Sequence, residues 1–298
     1  MSFSVLTLIL IYSMSNFWIF WLSMEISMIL FSSLLMEKEK NSIKSILYIL
    51  FQSIPSSLFL MLNIFVQKQI ITSELMILLV FLLLTMKIGI YPFHWWFFNL
   101  VENLNWMSFF FFNSIVKLVP TLVFIFLMKS EISKILIFFL LVSMSLSMFS
   151  LPLKSLRMIL SFSSMIHFSW IILCSILSVS YFQWYILIYF LMFIMLINVL
   201  MNFKEVYNLK EFMSSLMTKS NFLIVYILFL LFSFMGIPPL LGFLMKMFVV
   251  YGLYMNSYYL LSLLLMLISC LPMIFYWKLS LSMMMKSKNF SKNKFYLN

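Results

Sequence analysis

Residues 73–94 read SELMILLVFLLLTMKIGIYPFH, and this stretch decides the fold. Residues 75–84 are apolar without interruption. They follow neither the 3.6-residue period of a surface helix nor the two-residue period of a half-buried strand. A segment apolar on every side belongs in lipid. Lys87 stands near its far end, and Gly89 and Pro92 follow before His94. Glycine and proline interrupt the i to i−4 ladder and free backbone polar groups. Such backbone survives at membrane depth only where protein buries it or a wet cavity receives it.

The same grammar recurs at residues 236–246, GIPPLLGFLMK, where Gly236, Pro238, Pro239 and Gly242 precede Lys246. The chain has only 4 glycines, and three of them fall beside these two lysines. Broken helices in corresponding positions of two halves point to an inverted-repeat transporter. The halves would be residues 1–129 and 130–281, followed by a basic tail at 282–298. Five crossings in each half, an odd number, would invert the second relative to the first.

Composition supports membrane residence throughout. Of 298 residues, 65% are hydrophobic and 9% charged. A soluble domain carries about 25% charged residues, so a water-soluble globule, a disordered chain and a disulfide scaffold are excluded. A transmembrane β-barrel would alternate apolar and polar residues, which these segments do not. Alanine and aspartate are absent, while Phe and Met number 36 and 28. The bias follows A/T-rich codons, as in many mitochondrial genomes. Serine must then be the small residue that lets helices approach.

A crossing needs about 20 apolar residues. On that ruler the chain is all-α and polytopic, with ten transmembrane helices at residues 3–14, 17–36, 43–66, 73–90, 106–128, 132–150, 156–178, 181–203, 221–241 and 257–281. The first is short and could fuse with the second. Ten crossings put thirteen basic residues, from Lys38, Lys40 and Lys44 through Arg157 to Lys292 and Lys294, on one face, and three (Lys68, Lys129, Lys134) on the other. The positive-inside rule then sets both termini in the matrix or cytoplasm. No basic n-region or Arg-rich leader is visible, which fits synthesis inside the organelle or a bacterial inner membrane. The loop lysines suit topology and anionic lipid, and nothing suggests nucleic acid.

Glu25, Lys87, Lys117 and Lys246 do not fit in loops. Each ionised group at the bilayer centre costs about 2.5–3.5 kcal/mol on insertion scales, so intramembrane charges are functional candidates by default. Snorkelling of the long side chains is the competing explanation for Lys87 and Lys246, which lie nearer segment ends. Lys117 has Asn113 one turn back on its own face. His94 follows the first break, and His167 lies with Ser163 on one helical face. Both are candidate proton relays, because histidine titrates near neutrality. Gln52, Ser53, Ser56 and Ser57 around Pro55, and Asn198 with Asn202, are expected to hydrogen-bond between helices. Cys174 and Cys270 form no C-x-x-C pair, and no phosphate-binding glycine loop exists. No metal site is expected.

With these residues in view, the chain resembles the antiporter-like subunits of respiratory complex I. The stretches that carry the resemblance are residues 21–27, 48–57, 86–96, 106–120, 161–170 and 233–246. The Lys-x-Gly-x-x-Pro-Phe-His run and the Gly-x-Pro-Pro-x-x-Gly-Phe run are specific to that family. With a short N-terminus, they point to the subunit 2 branch of mitochondrial NADH dehydrogenase. The resemblance implies two inverted five-helix bundles, each with one discontinuous helix. It implies a core subunit of a proton-pumping NADH:ubiquinone oxidoreductase in the mitochondrial inner membrane. Glu25 would pair with Lys87, Lys117 would be the central lysine and Lys246 that of the second broken helix. His94 and His167 would lie on the hydrated axis joining them. No cofactor would bind this chain, since NADH, FMN, iron–sulfur clusters and ubiquinone would sit in partner subunits. The partners would be other membrane-arm subunits, especially subunits 4L and 4, and lipids. A further C-terminal helix common in relatives is missing after residue 281.

The implied mechanism is electrostatic. Burial disfavours an ammonium, and a nearby carboxylate restores it. Approach of Glu25 would hold the proton on Lys87, and separation would let it move toward Lys117. Three alternatives stay open: a stand-alone cation/proton antiporter, a structural subunit whose charges merely pair, and a haem protein on His94 and His167.

Overall fold

The computed structural model describes residues 17–38, 42–68, 73–90, 93–102, 104–127, 155–203, 221–238, 240–270, 273, 276, 277, 280 and 281. The expected crossings at 3–14 and 132–150 lie outside these residues. The described elements are helical throughout: α1 (Phe17–Lys38), α2 (Ser42–Gln67), α3 (Ser73–Ile88), α4 (Trp95–Val101), α5 (Trp106–Phe111), a π-helical turn (Phe112–Val116), α6 (Lys117–Leu127), α7 (Leu156–Leu177), α8 (Val179–Met201), α9 (Asn221–Met235), α10 (Leu241–Met255) and α11 (Tyr259–Cys270). Among the described residues five spans are long and apolar enough to cross a membrane, and four shorter apolar helices accompany them. The outward face is also apolar. Along α2 it presents Ile46, Leu50, Ile54, Leu58 and Met61, and along α8 Trp184, Leu187, Leu191 and Ile194. Water would not tolerate such surfaces, whereas lipid does, so the chain is a multi-pass membrane protein.

The expected boundaries hold to within a few residues, apart from the two broken helices. The reading ended one segment at 241 and began the next at 257, but α10 occupies the space between as a separate helix. The short helix α4 after the first break was likewise absorbed into a connection.

At the centre stands α7, which packs against α4, α6, α8 and α10. Its serines make that possible. Ser161, Ser163, Ser164 and Ser169 are buried, and each hydroxyl donates to a carbonyl of its own helix at 2.7 Å. A serine so satisfied behaves as a small residue, and neighbouring backbones can come close. The expected polar stripes are only partly interhelical. Gln52 does reach another helix, but Ser53, Ser56 and Ser57 turn back on carbonyls of α2. Asn198 and Asn202 are exposed.

Candidate functional site: a buried polar axis across the central helix

The first break turns at Gly89. Gly89 adopts φ 75°, the left-handed conformation that ends many helices. Its amide and that of Ile90 both donate to the Thr85 carbonyl, at 3.0 and 3.2 Å. That arrangement leaves the last carbonyls of α3 without helical partners. Side chains from other elements take them: Gln52 Nε2 donates to the Lys87 carbonyl at 3.0 Å, and Trp96 Nε1 to the Met86 carbonyl at 3.2 Å. The Lys87 side chain is therefore carried on a helix end anchored from α2 and α4. Gln52→Leu keeps the volume but orphans a buried carbonyl, a loss of about 1–3 kcal/mol. A lower thermal unfolding midpoint of the detergent-solubilised protein is the expected outcome.

Lys87 is buried, and its Nζ makes no hydrogen bond among the described residues. Glu25 is half-buried on α1. His94 caps α4, half-buried, with its ring edge on Phe98 at 5.7 Å.

Lys117 lies deeper. Pro120 removes the amide that would bond the Val116 carbonyl, and just upstream the chain widens into the π turn Phe112–Val116. That turn buries Asn113 and Ser114 beside the lysine. Lys117 Nζ donates to Ser164 Oγ at 3.0 Å and sits 3.8 Å from the Phe97 ring centroid. The Ser164 hydroxyl hydrogen has Asn113 Oδ1 at 2.9 Å and the Ser161 carbonyl at 2.7 Å as acceptors. The expected Asn113 neighbour is therefore present, one serine removed. Phe97 also closes the gap to the first break, because a Cβ on Gly89 would meet the Phe97 Cβ at 3.0 Å.

His167 follows Ser164 by three residues on the same side of α7. Ser163, the expected neighbour, turns instead to the Leu160 carbonyl. The polar partner of His167 is Tyr185 of α8, with Nδ1 and the hydroxyl 3.0 Å apart. The Phe234 ring packs against the same imidazole edge-on, with centroids 5.6 Å apart.

The second break repeats the logic of the first. Gly236 has φ 81°, and its amide reaches the Phe232 and Ser233 carbonyls at 3.3 and 3.2 Å. The connection then folds α10 back so tightly that a Cβ on Gly242 would overlap the Ser233 carbonyl oxygen. Lys246, buried on α10, sets its Nζ against Gly236, 2.9 Å from where a Cβ on that glycine would stand.

Of the six candidates, Glu25 stands on α1 and Lys87 near the end of α3, beside the first break. Lys117 of α6 reaches Ser164 of α7, His167 lies three residues further along that helix, Lys246 stands on α10, and His94 marks the start of α4. Three contributors escaped the sequence reading: Phe97, Ser164 and Tyr185. Only the Ser163-Ser164 run before His167 hinted at the second. Arg157, counted among the loop charges, is buried in the first turn of α7, with its guanidinium 4.8 Å from the Trp106 ring centroid. Among the described residues no three of His, Cys, Asp and Glu gather as a metal site.

Known proteins share this arrangement of helices. A chain of respiratory complex I from Thermus thermophilus with bound aureothin superposes with TM-score 0.81 at 18% identity, covering 94% of this chain and 68% of that one. A chain of the Mrp complex from Dietzia sp. DQ12-45-1b gives TM-score 0.69 at 15% identity, covering 90% of this chain and 55% of its own. The membrane-bound sulfane sulfur reductase, an archaeal respiratory membrane complex, gives 0.69 at 16% identity, covering 91% and 63%. The chain thus spans little more than half the length of the latter two. No curated protein matches it in sequence. The transmembrane family model described as NADH:quinone oxidoreductase/Mrp antiporter matches residues 12–272. With nearly the whole chain inside that match, the protein belongs to the NADH:quinone oxidoreductase/Mrp antiporter transmembrane family.

Proposed function

We propose that this chain is a core membrane subunit of a proton-pumping NADH:ubiquinone oxidoreductase, of the subunit 2 type, in the mitochondrial inner membrane. The observation that carries the reading is the buried Lys117, whose ammonium donates to Ser164 of α7 three residues before the buried His167. A structural role would require these charges to be neutralised in close pairs. Among the described residues Lys117 instead rests on one hydroxyl and two aromatic faces, Phe97 and Phe168. Buried charge is costly, and a site that keeps it unneutralised is suited to gaining and losing a proton.

In this reading Glu25 and Lys87 form the entry switch. Their separation releases a proton toward Lys117, and a charge change at each buried group alters the field at the next. His167 relays between Lys117 and Lys246, and His94 serves near the first break. The two five-helix halves are inverted repeats, both termini face the matrix, and redox cofactors reside in partners. Those partners include subunits 4L and 4.

Native electrophoresis of mildly solubilised membranes tests the assignment. An antibody to residues 286–298 should mark a large band that oxidises NADH in the gel. A small particle without that activity would make the chain a separate cation/proton antiporter instead.

A further inference from the structure

The first break brings an aromatic ring onto a charge. The chain turns at Gly89 and is helical again from Trp95, so Phe97 falls in the first turn of α4. Phe97 is fully buried. Its Cβ, Cδ2 and Cγ lie 3.0, 3.2 and 3.3 Å from where a Cβ on Gly89 would stand, so the ring is pressed against the turn itself. Phe112 of the π turn stacks on it with centroids 5.1 Å apart and planes 21° apart, and Phe98 meets it edge-on at 5.5 Å. A ring held from these sides has little freedom to swing. Lys117 Nζ stands over it, 3.8 Å from the centroid.

The face of an aromatic ring carries the negative part of its quadrupole and attracts a cation within about 6 Å. Phe168 of α7 offers a second, more distant face at 5.3 Å. This attraction acts on the ammonium and is lost when the amine becomes neutral. The Ser164 hydroxyl behaves differently, because a hydroxyl can accept from an ammonium or donate to an amine. Two neighbours of Lys117 therefore respond differently to its protonation. Phe97 belongs to the helix that follows the break, and Ser164 to the helix that carries His167.

We infer that Phe97 is a positioning residue of the proton path: its ring face seats the charged Lys117 against the first break and releases the neutral amine to Ser164. Among the described residues no carboxylate holds this ammonium, and the ring stands in the place of one. The seat is carried by α4, so any movement at the break changes how firmly Lys117 keeps its proton. The inference rests on the proposed proton path for its function, though not for its geometry.

Other ionisable groups enter any pH dependence, because α6 packs against α1, α3 and α7. They are Glu25 on α1, Lys87 on α3, and Arg157, His167 and Cys174 on α7, with Tyr48 of α2 reaching Phe112 from the other side of the π turn. A displacement specific to Phe97 is read against that unchanged background.

Two measurements keep the failures apart. The first is NMR of the full chain carrying isotope-labelled lysine, with Lys117→Met to identify the Lys117 signal. Protons beside an aromatic face are shifted upfield by the ring current. The wild-type Lys117 ε-methylene signal should lie upfield of the loop lysines, and Phe97→Leu should return it toward them. An ordinary position in the wild type, or a signal that Phe97→Leu leaves unmoved, would overturn the inference. The second is the pH profile of coupled proton transfer in the assembled complex. Phe97→Leu keeps apolar volume but removes the attraction to the ammonium, and should displace the profile toward acid by about one pH unit. Phe97→Tyr, which keeps the ring face, should restore it. A purely structural role would lower transfer at every pH without displacement. An undisplaced Phe97→Leu profile, in a preparation where Lys117→Met stops transfer, would remove Phe97 from the path, and an equal displacement in Phe97→Tyr would do the same. If Phe97→Leu does not assemble, the wild-type ring-current shift decides. If Lys117→Met leaves transfer intact, the proposed function fails, and the NMR measurement alone judges the Phe97 seat.

Discussion

Lys117→Met should lower the number of protons moved per NADH oxidised on the order of tenfold or more, with the assembled complex still present. A positioned group that transfers protons contributes about 10²- to 10⁴-fold in related chemistry, which sets the scale. Methionine is the informative replacement. Its unbranched side chain keeps apolar packing near Phe97 and Phe168, while the ammonium and its bond to Ser164 are lost. Among the described residues no carboxylate pairs with this ammonium, and replacing buried charge by apolar volume is often neutral or stabilising. Any fall in proton transfer then reports the charge itself. Dye quenching in sealed vesicles, beside NADH oxidation on the same sample, makes the measurement. Unchanged proton transfer in an assembled complex would end the central role of this lysine.

Gly242→Ala should be the most damaging single methyl group in the described part of the chain. The added carbon would overlap the Ser233 carbonyl oxygen, which belongs to a neighbouring backbone and cannot swing aside. Overpacking usually costs about 1–3 kcal/mol, and a backbone obstacle takes it beyond that. The α9–α10 hairpin would have to open, moving Lys246 away from Gly236 and His167. Loss of the chain from the large native band is the expected result. Gly252→Ala provides the contrast. There the new carbon meets the Leu177 Cδ1 at 2.8 Å and the Tyr181 ring at 3.2 Å, both ends of side chains that can shift. That variant should assemble at close to the normal level. Equal assembly of the two would show that the close approach at Gly242 is not needed.

The two broken helices were legible because glycine and proline are scarce here and clustered. Their consequences were less legible. Pro92 and Pro238 announce that carbonyls will lose their amides, yet nothing local says which side chain collects them. Gln52 lies 35 residues from its acceptor, and Tyr185 lies 18 residues from His167. Serine runs were equally ambiguous: Ser164 reaches Lys117, whereas Ser53, Ser56 and Ser57 only satisfy their own helix. Arg157 looked like a loop charge because a boundary residue can face either lipid headgroups or protein.

By itself the sequence determined that this chain lies in a membrane, roughly where it crosses, where its helices break, and which ionisable groups cannot escape to water. Those properties depend on hydrophobic length and on backbone chemistry within a few residues, so they can be read along the chain. Only the tertiary structure decided the order of the axis. Lys117, Ser164, His167, Tyr185 and Lys246 come from four helices, and a serine-lined α7 brings them together. A hydrogen bond needs its partners within about 3 Å, and packing between distant segments alone sets that distance.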